Sequence, residues 1–391
     1  MNGPSPLWQG HRVVVCLGSG GVGKTTVAAA LAIAAAQAQK RTLVMTIDPA
    51  RRLAQALDLA DLGNQPQQVP ASRLGAGAAR LDVLMPDVRG TFDGLVRRWA
   101  PSEAAARFLL NNPIYQHFAS ALAGSHEYAA VETLYEAYTN DAYDFIVVDT
   151  PPAQNAMVFL QAPDRVLNFL GTDAVRWLLS PGQFASSLGN KLLGFGGGML
   201  LRGVAKVAGT ATLDALVEFV RGFDSMAEGF VQRAAQVKAL FADPCLRFVL
   251  VTAPQPAQVP LARRFVGDLE QMNLQIGAAI CNRLRPAFAW SPQTSPPELD
   301  AALDMLPAGD KARLREALAE EAELAEQDGQ AAAALQQALG PNLPLLRLPE
   351  LPPPGDLMEL VRLIEADGAS AGRAGAPQVP ADAAAPPGVE G

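Results

Sequence analysis

The 391-residue chain is 49% hydrophobic and only 18% charged, a globular composition long enough for one large α/β domain or two modest ones. Its formal net charge of −8 argues against a nucleic-acid partner, because neutralising phosphates takes an excess of Lys and Arg. Cys16, Cys245 and Cys281 lie far apart with no C-x-x-C spacing, which excludes a disulfide scaffold or zinc site and fits a reducing compartment.

Taken in chain order, Met1–Trp8 has no basic region followed by an apolar core. No apolar stretch reaches the ~20 residues that span a bilayer, so a cytoplasmic location is expected. Arg12–Leu17 has the β-branched content of a buried parallel strand, and Thr25–Gln39 is Ala-rich and helical. Between them Gly18-Ser19-Gly20-Gly21-Val22-Gly23-Lys24-Thr25 completes G-x-x-x-x-G-K-T, with Thr26 next. In that strand–loop–helix context the pattern is a phosphate loop. Its glycines let successive N–H groups turn inward on phosphate oxygens, Lys24 reaches the β/γ-phosphates and the Thr25 hydroxyl ligates Mg2+. The expected ligand is ATP with Mg2+.

Arg41–Ile47 reads as a second strand, ending at Asp48-Pro49-Ala50-Arg51-Arg52, and Leu81–Met85 as a third. Helical patterns occupy about 91–139, broken at Pro101, Pro113 and Gly124. The strand Phe145–Val148 ends at Asp149-Thr150-Pro151-Pro152. Residues of about 154–243 do not alternate with strands and read as a helical insertion. There Leu213, Leu216, Val217, Val220, Phe223, Ala227, Phe230 and Val231 recur at helical spacing. The Gly-rich stretch of about 195–201 ahead of them suits a mobile lip. Leu246–Thr252, Ile276–Cys281 and Leu343–Leu348 are the remaining strands, and a charged helix spans about 311–326. From about 367 to 391 Ala, Pro and Gly dominate without period, so no ordered structure is expected there.

This alternation predicts a doubly wound, mainly parallel α/β sheet with an inserted helical subdomain, the domain spanning 11–366. Ligands of such sheets bind beyond the C-terminal strand ends, where the phosphate loop, Asp48, Asp149 and Asn282 all fall. Asp48 reads either as the group that orients an attacking water or as a helix cap. Asp149 reads either as the acidic support of Mg2+ or as a turn former before two prolines.

The phosphate loop, Thr46-Ile47-Asp48-Pro49-Ala50 and Val148-Asp149-Thr150-Pro151-Pro152 together resemble the arsenite-pump ATPase family. That family includes the ATPase guiding tail-anchored proteins to membranes. Val251–Pro254, Cys281-Asn282-Arg283 and Leu345–Leu351 extend the likeness over about 11–366. The resemblance implies a phosphate-loop ATPase in which Asp48 is the switch residue, Asp149 the metal support, and Asn282 (with Arg283 the next candidate) the reader of adenine. It also implies a homodimer, or a heterodimer with a paralogous subunit, acting on a hydrophobic client or membrane partner. Alternatives are the catalytic subunit of an arsenite or anion efflux pump, a nucleotide-switch scaffold, and a metabolic enzyme spending ATP on a small carboxylate.

Two departures stand out. Ser19 occupies the position of a lysine that reaches across the dimer in the resembled proteins, so either Arg51 or Arg52, or a lysine-bearing partner subunit, must supply that charge. The cysteines offer no convergent thiolates for a metalloid, and there is one phosphate loop rather than two.

Overall fold

The computed structural model describes residues 10–48, 50, 52–60, 62–63, 65–113, 115–116, 125–171, 210–274, 276–286, 297–351 and 356–371. The expected lip of about 195–201, Pro49, Arg51 and the chain beyond Ala371 lie outside them.

The strands are β1 (Val13–Leu17), β2 (Thr42–Thr46), β3 (Gln67–Gln68), β4 (Leu81–Leu84), β5 (Phe145–Asp149), β6 (Leu246–Thr252), β7 (Ile276–Leu284) and β8 (Leu345–Pro349). They form one sheet in the order β3-β4-β2-β5-β1-β6-β7-β8. Every pairing is parallel except that of the polar edge strand β3 with β4. The sequence carries no strand signal at Gln67–Gln68, so this edge strand is an addition to the expected set.

Side chains alternate across a strand, so β1 feeds both faces of the sheet. Val13, Val15 and Leu17 enter one apolar cluster; Val14 and Cys16 enter the other. The second face is covered by α1 (Lys24–Gln37), the short α2 (Arg52–Ala56) and α11 (Leu357–Ala371). Because α1 is apolar on every side, it is buried along nearly its whole length, and its alanines let it lie close to the strands. α11 seals it from outside through Leu360, Val361 and Ile364, and runs into the start of the segment expected to lack structure.

The first face is covered by α3 (Val88–Trp99), α4 (Glu103–Leu110), α5 (Ser125–Thr139), α6 (Ala153–Gly171), α7 (Thr210–Leu240) and α8 (Gln258–Gln271). α9 (Pro297–Asp304) leads into α10 (Ala308–Leu339), whose Ala332 and Leu335 join the same cluster. The helices of 154–243 therefore share their core with the sheet and with the helices of 91–139. Among the described side chains of α7, Phe219, Met226, Phe230, Ala234, Val237 and Leu240 are buried, while Val231, expected on the apolar face, is exposed; Leu213, Leu216, Val217, Val220, Phe223 and Ala227 lie outside the described side chains.

β1 lies between β5 and β6, with β2 beyond β5. The chain thus leaves β1 toward one side and later returns to its other side. The crevice this creates opens at the C-terminal end of β1, where the phosphate loop begins.

Candidate functional site

The loop from Gly18 to Lys24 is held from below by strand ends on both sides of β1. At Gly18 any side chain would run into the Val251 carbonyl of β6, so the close backbone approach admits glycine alone. Gly23 caps α1 in the left-handed region (φ 87°), and a Cβ there would strike the Asn282 amide. These two glycines explain the spacing of the motif at this site. Gly20 and Gly21 lie at the exposed crest, Val22 is buried beneath it, and Thr26 is exposed on the first turn of α1.

Lys24 is buried, and its Nζ donates to the Ser19 carbonyl 2.7 Å away, so the side chain bends back over its own loop. Burial lowers its pKa, while Asp149 and Asp48 act in the opposite direction. The Thr25 hydroxyl donates to Asp149 Oδ2 (2.9 Å), and the Thr46 hydroxyl of β2 donates to the same oxygen (3.0 Å). Asp149 is fully buried at the end of β5, and desolvation raises its carboxyl to about 6 against the lowering effect of both hydroxyls and Lys24. Its second oxygen, Oδ1, has no hydrogen-bond partner among the described residues. A buried carboxylate oxygen without a partner is costly, and a cation or its water shell would satisfy this one. The donor set of oxygens, one hydroxyl beside one carboxylate, suits Mg2+.

Asp48 follows β2 and carries two contacts. Oδ1 accepts the Ala50 N–H (2.9 Å) in an Asx-type turn, and Oδ2 pairs with Arg52 Nη1 (3.1 Å). Its own N–H donates to the Thr46 hydroxyl (3.2 Å), so Thr46 links the Asp48 loop to Asp149. α2 begins at Arg52, four residues after Asp48. Thr46 is a site residue that sequence reasoning missed; a hydroxyl at the last position of a buried strand, after the apolar Leu43–Met45, was the available signal.

At the other flank, Asn282 is buried at the end of β7 and its Nδ2 donates to the Val22 carbonyl (2.9 Å). Arg283 Nη1 donates to the Gly21 carbonyl (2.9 Å). The Ser19 hydroxyl donates to Gln258 Oε1 at the start of α8 (2.6 Å), a second contact with no sequence signal. Among the described residues the structure thus gathers Lys24, Thr25, Asp48, Asp149 and Asn282 at one sheet edge.

A family model described as anion-transporting ATPase matches residues 11–292, which include every one of these groups. The chain belongs to the anion-transporting ATPase family. An uncharacterized Streptomyces coelicolor protein is 29% identical over 284 residues, covering 71% of this chain and 65% of its own length. A Halobacterium salinarum protein, provisionally named an arsenical pump-driving ATPase, is 30% identical over 169 residues, 41% of this chain and 25% of its own. The ATPase get3 of Aspergillus terreus is 26% identical over 272 residues, 68% of this chain and 71% of its own. The chain therefore spans less than two thirds of the first two of these relatives.

Within the anion-transporting ATPase fold the cysteines take structural places. Cys16 and Cys281 are buried in β1 and β7, and burial pushes both thiols up, Cys281 to about 12. Neither is a thiolate near neutral pH. Among the described residues no group of His, Cys, Asp and Glu converges to hold a metal ion, and no helix is long and apolar enough to cross a membrane.

Proposed function

We propose that the chain binds ATP with Mg2+ and hydrolyses it to ADP and phosphate. The observation carrying this reading is Asp149, buried, fixed by Thr25 and Thr46 on one oxygen and without a partner among the described residues on the other, directly behind a complete phosphate loop. When bound, Mg2+ would supply charge neutralisation across the β- and γ-phosphates, with Thr25 and Asp149 holding it and its waters. The chain's own residues do the rest. The loop N–H groups and Lys24 orient the phosphates, and Lys24 exchanges its bond to the Ser19 carbonyl for a charge-assisted bond to phosphate. Asp48 orients the attacking water and accepts its proton as the bond to the leaving ADP breaks. The test is MgATP binding and steady-state hydrolysis by the wild-type chain and Lys24→Ala. Binding is expected to weaken by about 10- to 100-fold in the variant, the scale of a lost charged hydrogen bond, with hydrolysis falling further. Equal affinity and turnover would overturn the assignment.

The charge missing at Ser19 we assign to the arginine pair after Asp48. Ser19 is committed to Gln258, whereas Arg52 already stands against Asp48 and is largely exposed, free to swing to phosphate. Separate Arg51→Ala and Arg52→Ala chains should differ in MgATP turnover, one falling by about tenfold or more. Two fully active variants would remove this role and favour a partner subunit that carries the lysine.

The same reading extends to assembly. A cytoplasmic dimer, of two copies or with a paralogue, would couple the Asp48 and Asp149 loops to the helical face, and so to a hydrophobic client or membrane partner. Phe108 of α4 and Val231 of α7, both exposed on that face, support an apolar contact.

A further inference from the structure

Asn282 and Arg283 are consecutive residues, yet both reach the phosphate loop. In a regular strand successive side chains point to opposite faces. Here the alternation is broken. Cys281 pairs with Arg347 and Leu284 with Pro349, so three steps along β7 lie opposite two along β8. The extra residue is a bulge, and Arg283 within it adopts φ 65°, the left-handed region that an arginine rarely occupies. The distortion turns the Arg283 guanidinium to the same side as the Asn282 amide. The two side chains then take hold of two consecutive carbonyls, Gly21 by Arg283 and Val22 by Asn282, each at 2.9 Å.

We propose that this bulged pair is a positioning clamp that presets the phosphate loop for nucleotide. A trans peptide carries its C=O and N–H on opposite sides. Holding the Gly21 and Val22 oxygens toward β7 therefore commits the Val22 and Gly23 N–H groups to the inner side of the loop, where phosphate oxygens are to be met. Loops with unfixed peptide planes must order them on binding, which costs affinity. Arg283 acts through the loop and touches no reacting atom. A strained backbone maintained at the edge of a binding crevice is what a positioning role requires, and the Arg283 side chain is exposed rather than part of the core. The clamp rests on the nucleotide-binding reading above and adds to it a residue and a mechanism.

Arg283→Gly separates the clamp from the strand end, because glycine accepts φ 65° while the guanidinium is lost. Calorimetric titration with MgADP should show about three- to tenfold weaker binding in this variant, with an unfolding midpoint no lower than wild type. Amide exchange at Val22 and Gly23 in the nucleotide-free chain should quicken. Binding within twofold of wild type, with unchanged exchange, would overturn the clamp; so would weaker binding accompanied by a lowered midpoint, which is damage to β7. A wild-type chain that fails to bind MgADP would instead remove the nucleotide reading itself.

Discussion

Asp48→Asn should bind MgATP with close to wild-type affinity and hydrolyse it about 10²- to 10⁴-fold more slowly, the range of a lost general base or water-orienting group. The substitution is mild for the fold. The amide oxygen of Asn can still accept the Ala50 N–H, so the turn that shapes the loop persists. What disappears is the negative charge, and with it the pair to Arg52. That pair is largely solvent-exposed on the arginine side, where ion pairs contribute about 0–1 kcal/mol, so stability should barely move. Lys24, Thr25 and Asp149 stay in place because none of them bonds to the Asp48 side chain. Single-turnover hydrolysis beside equilibrium binding separates the two steps; hydrolysis within tenfold of wild type would sink the role of Asp48. The same variant, stalled with ATP, is the bait for the partner. Retention of membrane-protein segments would support the client reading, and retention of soluble regulators alone would favour the nucleotide-switch scaffold.

The sheet was legible because its central strands are buried on both faces. Val13–Leu17, Thr42–Thr46 and Phe145–Asp149 read as short apolar runs for that physical reason, and each ends in a residue of the site or at its loop. Contacts made by polar residues at strand ends were not legible. Thr46 serves the site through a hydroxyl that is ordinary in a strand, and Gln258 meets Ser19 across more than two hundred residues of sequence. The continuation of β7 through Asn282, Arg283 and Leu284 was hidden by the same polarity, since a bulge is set by pairing with β8 and not by local preference. On α7 the apolar stripe was misplaced at Val231. Phe230, Ala234 and Val237 are buried there, where the helix approaches α5 and α6, and Val231 lies off that line.

That approach brings an ion pair into the helical layer, and Arg233→Met should cost about 3–5 kcal/mol of stability near neutral pH. Glu132 of α5 is fully buried and Arg233 of α7 nearly so; Nε donates to Oε1 at 2.7 Å, and Nη2 stands 2.6 Å from the same oxygen. The guanidinium also lies over the Tyr135 ring, 4.2 Å from its centre. Among the described residues Glu132 Oε2 has no hydrogen-bond partner, so Arg233 is what the carboxylate depends on. Burial already raises the Glu132 pKa, with the Arg233 hydrogen bond and charge opposing that rise. Without Arg233 the opposition is lost, and the folded-state pKa climbs further above its unfolded value. A carboxyl with a raised folded pKa favours the folded chain at low pH and loses that contribution as pH rises. The deficit of Arg233→Met should therefore be largest above neutrality and shrink as the pH falls and Glu132 takes up a proton. The double variant Glu132→Leu/Arg233→Met removes both charges and should recover most of the loss, because an apolar replacement of a buried pair is often neutral. Urea unfolding of all three chains at pH 7.5 and 5.5 decides it. A single variant within about 1 kcal/mol of wild type at the higher pH would mean that water reaches Glu132, and that the pair is a surface contact in energetic terms.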